Sequence, residues 1–289
     1  ELWSNLSTVV EEGVPRCIWI DSDKGLGKSR LCEWLCQRVE ELGVAHTVAL
    51  DIRPNGVPGA ALRDLLIQIL GLGGLGAQLY PAAVQFWLAS HGGEDEELQA
   101  LVLELLGNRR VGKKERHVGL RLESLAARRH VILQVLDRLS AVRPVVLVLG
   151  DIHVNADCIG LIPLISQTLC PILLIATSNS DELADHPNQL MRLRRWLSKN
   201  VVQLGALSDS DHVAFVERLL GLEGLLANRV AKRTRGIPVF AIELVDYWLQ
   251  RELLSQTATG LVLVCEVDIP SSLTDLWRIR TVEYCETLP

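Results

Sequence analysis

The stretch Ser22-Asp23-Lys24-Gly25-Leu26-Gly27-Lys28-Ser29 decides how the chain is read. A Walker A loop asks for glycine, four free positions, then Gly-Lys-[Ser/Thr]. Gly27, Lys28 and Ser29 meet the second half, while Ser22 stands where the opening glycine belongs. Upstream, Cys17-Ile18-Trp19-Ile20 is a short apolar run of the kind a buried parallel strand needs. Downstream, Leu31, Leu35, Val39 and Leu42 recur at helical spacing. A strand, a glycine loop and a helix start aim backbone N–H groups and the positive end of a helix dipole at an anion. In this pattern Lys28 reaches the β- and γ-phosphates of a nucleotide, and the Ser29 hydroxyl sits on Mg²⁺. An ordinary glycine turn is the competing explanation. The agreement of both flanks with the Gly-Lys-Ser core argues against it.

Working outward, residues 1–14 predict a short helix, and Val44 to Leu50 a second strand that ends at Asp51. Strand, helix, strand at this spacing is a βαβ unit and implies a parallel sheet. A loop with Pro54, Gly56 and Pro58 leads to a helix over Ala60–Leu70. The next stretch, Gly71-Leu72-Gly73-Gly74-Leu75-Gly76, contains a literal Gly-x-Gly-x-x-Gly. It ends one helix and precedes another, so it reads as a helix connection and not as a dinucleotide fingerprint. Two helical patterns fill 77–107, a basic cluster follows (Arg109, Arg110, Lys113, Lys114, Arg116), and a long helix is expected from Leu120 to Val142. Val145-Val146-Leu147-Val148-Leu149 and Ile172-Leu173-Leu174-Ile175-Ala176 are unbroken apolar runs, as strands buried on both faces require. Between them a helix is expected over Cys158–Leu169, and a basic helix with Met191, Arg192, Arg194 and Arg195 leads to a last strand at Val201–Leu204.

After Gly205 the pattern is helical, at about 209–220, 223–234 and 239–254, with Gly236-Ile237-Pro238 between the last two. Ser208 and Asp211 have the spacing of a capping box. Leu261–Val264 suggests a hairpin arm, and Ile269-Pro270-Ser271 the start of a final helix. The expected division is a P-loop core over 1–205, a helical lid over 206–256 and a partial winged-helix segment over 257–289.

Bulk properties bound the function. The 289 residues carry a net charge of −6, which argues against a nucleic-acid surface over the whole chain. Hydrophobic residues at 48% suffice for a sizeable core. The seven cysteines form no Cys-x-x-Cys pair, which fits a reducing, cytoplasmic compartment. No apolar stretch approaches the roughly 18–20 residues a membrane span needs. The chain begins at Glu1 and not Met, so it is expected to be an excerpt of a longer polypeptide.

A nucleoside triphosphatase needs a second acidic site, an apolar strand ending in Asp that holds the metal. The run Val145–Leu149 ends in Gly150-Asp151. Gly150 has no side chain to bind a metal. Adjacent strand residues face opposite ways, so Asp151 replaces it only with a local backbone shift. Asp151 is nonetheless the candidate for catalysis and, with Ser29, for metal binding; a strand-end carboxylate capping a loop is the bland alternative. His153 reads as structural. Asn179, ending the neighbouring strand, is either a polar γ-phosphate sensor or part of a Ser178-Asn179-Ser180 turn.

Assembled, these parts resemble the STAND and Orc1-like group of P-loop ATPases, found in large bacterial signalling proteins beside kinase, cyclase or LuxR-type regulator domains. The stretches that carry the resemblance are Lys24–Leu31, Gly59–Leu66, Pro144–His153 and Thr234-Arg235-Gly236-Ile237-Pro238-Val239-Phe240-Ala241-Ile242-Glu243-Leu244, similar to the family's Gly-x-Pro lid motif. The resemblance spans nearly the whole chain. It implies a five-stranded α/β core in the order 5-1-4-3-2, a helical lid and the start of a winged helix near Pro289. It implies ATP and Mg²⁺ as ligands, with Lys24, Gly25, Gly27, Lys28, Ser29, Arg30 and Pro238 at the nucleotide. Departures are Ser22 for the first glycine, Gly150 for the metal-side Asp, Ser178-Asn179 where many relatives carry an arginine, and no tryptophan around Val154-Asn155. Together they imply impaired hydrolysis with nucleotide binding retained. The expectation is an ATP/ADP-dependent signalling switch with weak ATPase activity, partnered by other domains or proteins and by nucleotide-linked oligomers. A degenerate, non-hydrolysing scaffold is the alternative.

Overall fold

The computed structural model describes residues 1–52, 57, 59–107, 122 and 124–287. Most of the loop around Pro54, Gly56 and Pro58, the basic cluster at 109–116 and Pro289 lie outside the described residues. The chain divides into two compact units: residues 1–21 with 29–203, and residues 22–28 with 204–289.

The first unit is an α/β sheet structure. In chain order its elements are α1 (Leu2–Glu12), β1 (Arg16–Ser22), α2 (Lys28–Leu42), β2 (His46–Asp51), α3 (Ala60–Ile69), α4 (Tyr80–Ser90), α5 (Glu96–Leu105), α6 (Leu125–Val142) and β3 (Val145–Gly150). There follow α7 (Ala156–Ile159), α8 (Ile162–Ile165), β4 (Ile172–Asn179), α9 (Ser180–Ala184), α10 (Pro187–Leu197) and β5 (Val201–Gln203). The five strands form a parallel sheet in the order β2-β3-β4-β1-β5, the expected order read from the other edge. The central strands β3 and β4 are buried along their whole length, which is why their sequences do not alternate. Leu62, Leu66, Ile132, Leu136 and Leu147 lie at the centre of the core on this sheet.

Several elements depart from expectation. The helix expected from Leu120 starts at Leu125, where the Ser124 side chain accepts from Ala127 N. The helix expected over Cys158–Leu169 is two short turns, α7 and α8, because Gly160 and Pro163 fall inside it. β4 runs through Thr177 and Ser178 to Asn179, past the apolar run, because the polar side chains find partners.

The second unit is mostly helical: α11 (Asp209–Arg218), α12 (Gly224–Thr234), α13 (Pro238–Gln250), a hairpin of β6 (Leu254–Thr257) and β7 (Gly260–Leu263), and α14 (Leu273–Thr287). Ser208 caps α11 as its spacing predicts, its Oγ accepting from Asp211 N at 3.2 Å. The third helix, expected to reach residue 254, ends at Gln250, and Leu254 begins β6 instead. Trp248, Leu244, Phe240, Val230 and Val216 centre this unit's own core. No helix among the described residues is long and apolar enough to cross a membrane.

Candidate functional site

The glycine loop joins β1 to α2 and carries two residues with positive φ, Gly25 (+85°) and Gly27 (+96°). Ser22 is different. It is the buried last residue of the extended strand β1 and has no positive φ. The first Walker A position here makes no demand for glycine, so the serine costs the loop no backbone strain. Its Oγ and main-chain O accept from Lys28 Nζ at 3.1 and 2.8 Å, and Asp23 O accepts at 3.1 Å. The lysine that would meet phosphate is thus held against the loop's own carbonyls, at the first residue of the 15-residue helix α2. Lys24, Ser29 and Arg30 are exposed, and Arg30 pairs with Glu33 at 3.5 Å.

In the same unit as the loop, Val239 N donates to Gly25 O at 3.3 Å. Pro238, the first residue of α13, follows Ile237, whose Cγ2 lies 3.6 Å from where a Gly25 Cβ would be. The Gly-x-Pro stretch therefore packs its flanking apolar side chains on the middle glycine of the loop. Proline is suited to this helix start, because a first-turn N–H has no partner within the helix.

Within the sheet unit, Ser29, Cys32, Asp51, Val148, Gly150 and Thr177 line a cavity of about 400 Å³ on one side of β2 and β3. Burial and the nearby Cys36, Asp51 and Glu33 push the Cys32 thiol up to about 12, so it is a neutral wall of this cavity. Asp151 does not line it. The residue leaves β3 in the left-handed region (φ 48°, ψ 46°), its N–H donates to Thr177 Oγ1 at 3.0 Å, and it is exposed. Aspartate is among the residues that tolerate this conformation.

The end of β4 is occupied by structure. Ser178 Oγ accepts from Trp19 Nε1 at 2.7 Å and donates to the buried Asp21. Ser180 Oγ and Gln203 Nε2 reach the other Asp21 oxygen at 3.0 and 3.4 Å. This network ties the ends of β1, β4 and β5 together. The Asn179 carbonyl oxygen caps α9 through Asp181 N at 3.3 Å, and its amide N–H₂ remains for another acceptor. His153 is fully buried, with Nε2 3.1 Å from Glu182.

Reading the sequence alone does not bring Asp51 to this cavity beside Gly150. The signal was present: β2 ends in an acid, and β3, its neighbour, ends in glycine. Only the pairing of the two strands gives the coincidence meaning.

The glycine loop between strand and helix and the 2-3-4-1-5 parallel sheet define an α/β fold of the P-loop type. Among solved structures the chain is similar to the Aeropyrum pernix ORC1 protein in complex with DNA, at 15% identity, over 99% of this chain and 68% of that one, with a TM-score of 0.51. It also matches CDC6P from Pyrobaculum aerophilum (14% identity, 85% of this chain, TM-score 0.48), of whose length it spans 59%. Domain III of the Thermotoga maritima replication initiation protein DnaA matches at 11% identity, over 93% of this chain and 87% of that one, with a TM-score of 0.44. Such identities speak to fold alone. No family model matches the chain, and no curated protein does.

Proposed function

We propose that the chain is an ATP-binding module that works as an ATP/ADP-dependent switch in signal transduction and hydrolyses ATP slowly. One observation carries the reading: the loop from Ser22 to Ser29 presents Lys28 and two positive-φ glycines at the start of a long helix. Backbone N–H groups and the helix dipole favour phosphate there, and Lys28 Nζ already lies against the loop, donating to Ser22 and Asp23 oxygens. The lid motif supports the switch: Val239 and Ile237 rest on Gly25, so a ligand that reshapes the loop reaches the start of α13 directly. Pro238 is placed near the base and Lys24 and Arg30 near the phosphates in this reading. Its partners are other domains or proteins and further copies of the chain, and the acidic balance leaves nucleic acid outside it.

Mg²⁺ bound with the nucleotide would neutralise developing charge on the phosphates. Exposed Ser29 offers it a hydroxyl. Asp151, exposed after β3 with its N–H held by Thr177, is the group proposed to orient a water.

Titration of the full chain with a fluorescent ATP analogue tests the reading. Saturable binding that Lys28→Ala weakens strongly is the expected result, and wild-type protein that binds neither ATP nor ADP sinks it. A second reading, a scaffold that binds without hydrolysing, draws support from Gly150, which brings no carboxylate to the strand end. Hydrolysis that disappears in both Lys28→Ala and Asp151→Ala would exclude it.

A further inference from the structure

Gly150 sits where a strand-end carboxylate is wanted, and the neighbouring strand carries one. Asp51 and Gly150 are register partners in the parallel pair β2·β3. Register partners point their side chains to the same face of a sheet, about 4.8 Å apart. A Cβ built on Gly150 would collide with Asp51 Oδ1 and would lie 3.3 Å from Asp51 Cα and Cγ. The Asp51 carboxylate therefore occupies the space in which a side chain of residue 150 would begin. It is exposed, and it lines the same cavity as Ser29 and Thr177. Ala49 and Val148, two residues earlier on each strand, continue this face of the cavity, as strand periodicity requires.

We propose that Asp51 supplies the metal-side carboxylate that Gly150 lacks, so that Ser29 and Asp51 together hold the Mg²⁺ of a bound nucleotide. The donor set fits the ion. Mg²⁺ is usually held by one or two carboxylates, with substrate phosphates and waters completing its shell. The Asp51 carboxylate and the Ser29 hydroxyl meet that demand, in a cavity that Glu33 and Glu40 also line. The space that accepts the Asp51 oxygen exists only because residue 150 has no Cβ. Asp151 then has no need to turn back into the sheet face, and its left-handed backbone carries it outward instead. The inference rests on the nucleotide-binding reading of the loop.

The test uses the full chain and two readouts other than turnover. ATP binding is titrated with Mg²⁺ and with chelator, and Mn²⁺ uptake in the presence of ATP is followed by electron paramagnetic resonance. Wild-type protein should bind ATP more tightly with Mg²⁺ and take up Mn²⁺ with the nucleotide. Asp51→Asn is nearly isosteric. It should keep metal-free ATP binding and lose at least about tenfold in Mn²⁺ affinity, the scale on which even outer-shell partners act. The double variant Asp51→Gly/Gly150→Asp moves the carboxylate one strand across without the collision and should restore the metal. Wild-type Mn²⁺ affinity in Asp51→Asn overturns the proposal. Loss of metal-free ATP binding in Asp51→Asn marks the residue as structural and overturns it too. Metal-independent binding in the wild type overturns it while the nucleotide reading stands; no ATP binding under either condition overturns both.

Discussion

Gly25 and Gly27 look alike in the sequence and differ in what a methyl group would meet. Both have positive φ, where an L side chain costs about 1–2 kcal/mol. Around Gly27 there is nothing within 4 Å, whereas a Gly25 Cβ would overlap Val239 Cγ1 and lie 3.2 Å from Val239 Cβ. Rotating the valine does not clear a clash with its Cβ. Gly27→Ala should therefore cost about 1–2 kcal/mol from backbone strain alone. Gly25→Ala should cost about 1–3 kcal/mol more from overpacking, and Val239→Ala should recover part of that excess. Urea unfolding of the four proteins checks the ranking; equal losses for the two glycine variants would contradict the packing argument. At this scale the sequence was informative about residue type and silent about neighbours. Ser22 read as a defect because a motif records identity and not φ. Gly150 read as a loss because its partner is 99 positions away in the chain.

At the scale of elements, α11 and α12 are joined through a buried histidine. The Thr234 hydroxyl donates to Val230 O at 2.9 Å, so its oxygen accepts from His212 Nε2–H, 2.6 Å away. His212 Nδ1 is buried without a partner, and the ring is 1% exposed. Burial lowers the His212 pKa below its usual 6.5, and Asp209 acts the other way. The unfolded chain then takes up a proton at higher pH than the folded one. Stability contributed by the neutral ring is complete above 6.5 and is lost as pH falls from there towards the folded value. Thermal unfolding across that range should show the helical unit weakening with acid, and His212→Gln should flatten the slope. An unchanged slope would place the proton uptake elsewhere. Elements were legible where local chemistry set them, as with the Ser208 cap. They were not where long-range partners did: the hydroxyls of Thr177 and Ser178 sit in a strand because Asp151, Trp19 and Asp21 satisfy them.

For the whole molecule, apolar strand runs separated by helices were enough to imply a parallel sheet, and the resemblance supplied the order in which the strands lie. Neither indicated that the phosphate-loop residues 22–28 group with the helical unit while β1 and α2, on either side, build the sheet unit. The Val239 N–H to Gly25 O bond, at 3.3 Å, is a reporter of that grouping. Hydrogen exchange with and without ATP should slow at Val239 in step with Gly25–Lys28, and Lys28→Ala should abolish both changes. Slowing confined to the loop would uncouple it from α13. The pair Asp51 and Gly150 bears on how such a chain can change over time. The acid at 51 excludes a side chain at 150, so the two positions are epistatic: Gly150 can be replaced only after Asp51 has yielded. A lineage that moves the carboxylate across the sheet must pass through a form with glycine at one position and no acid at the other. The swap is therefore open to a protein whose chemistry can lapse for a while and closed to one whose cell depends on every turnover.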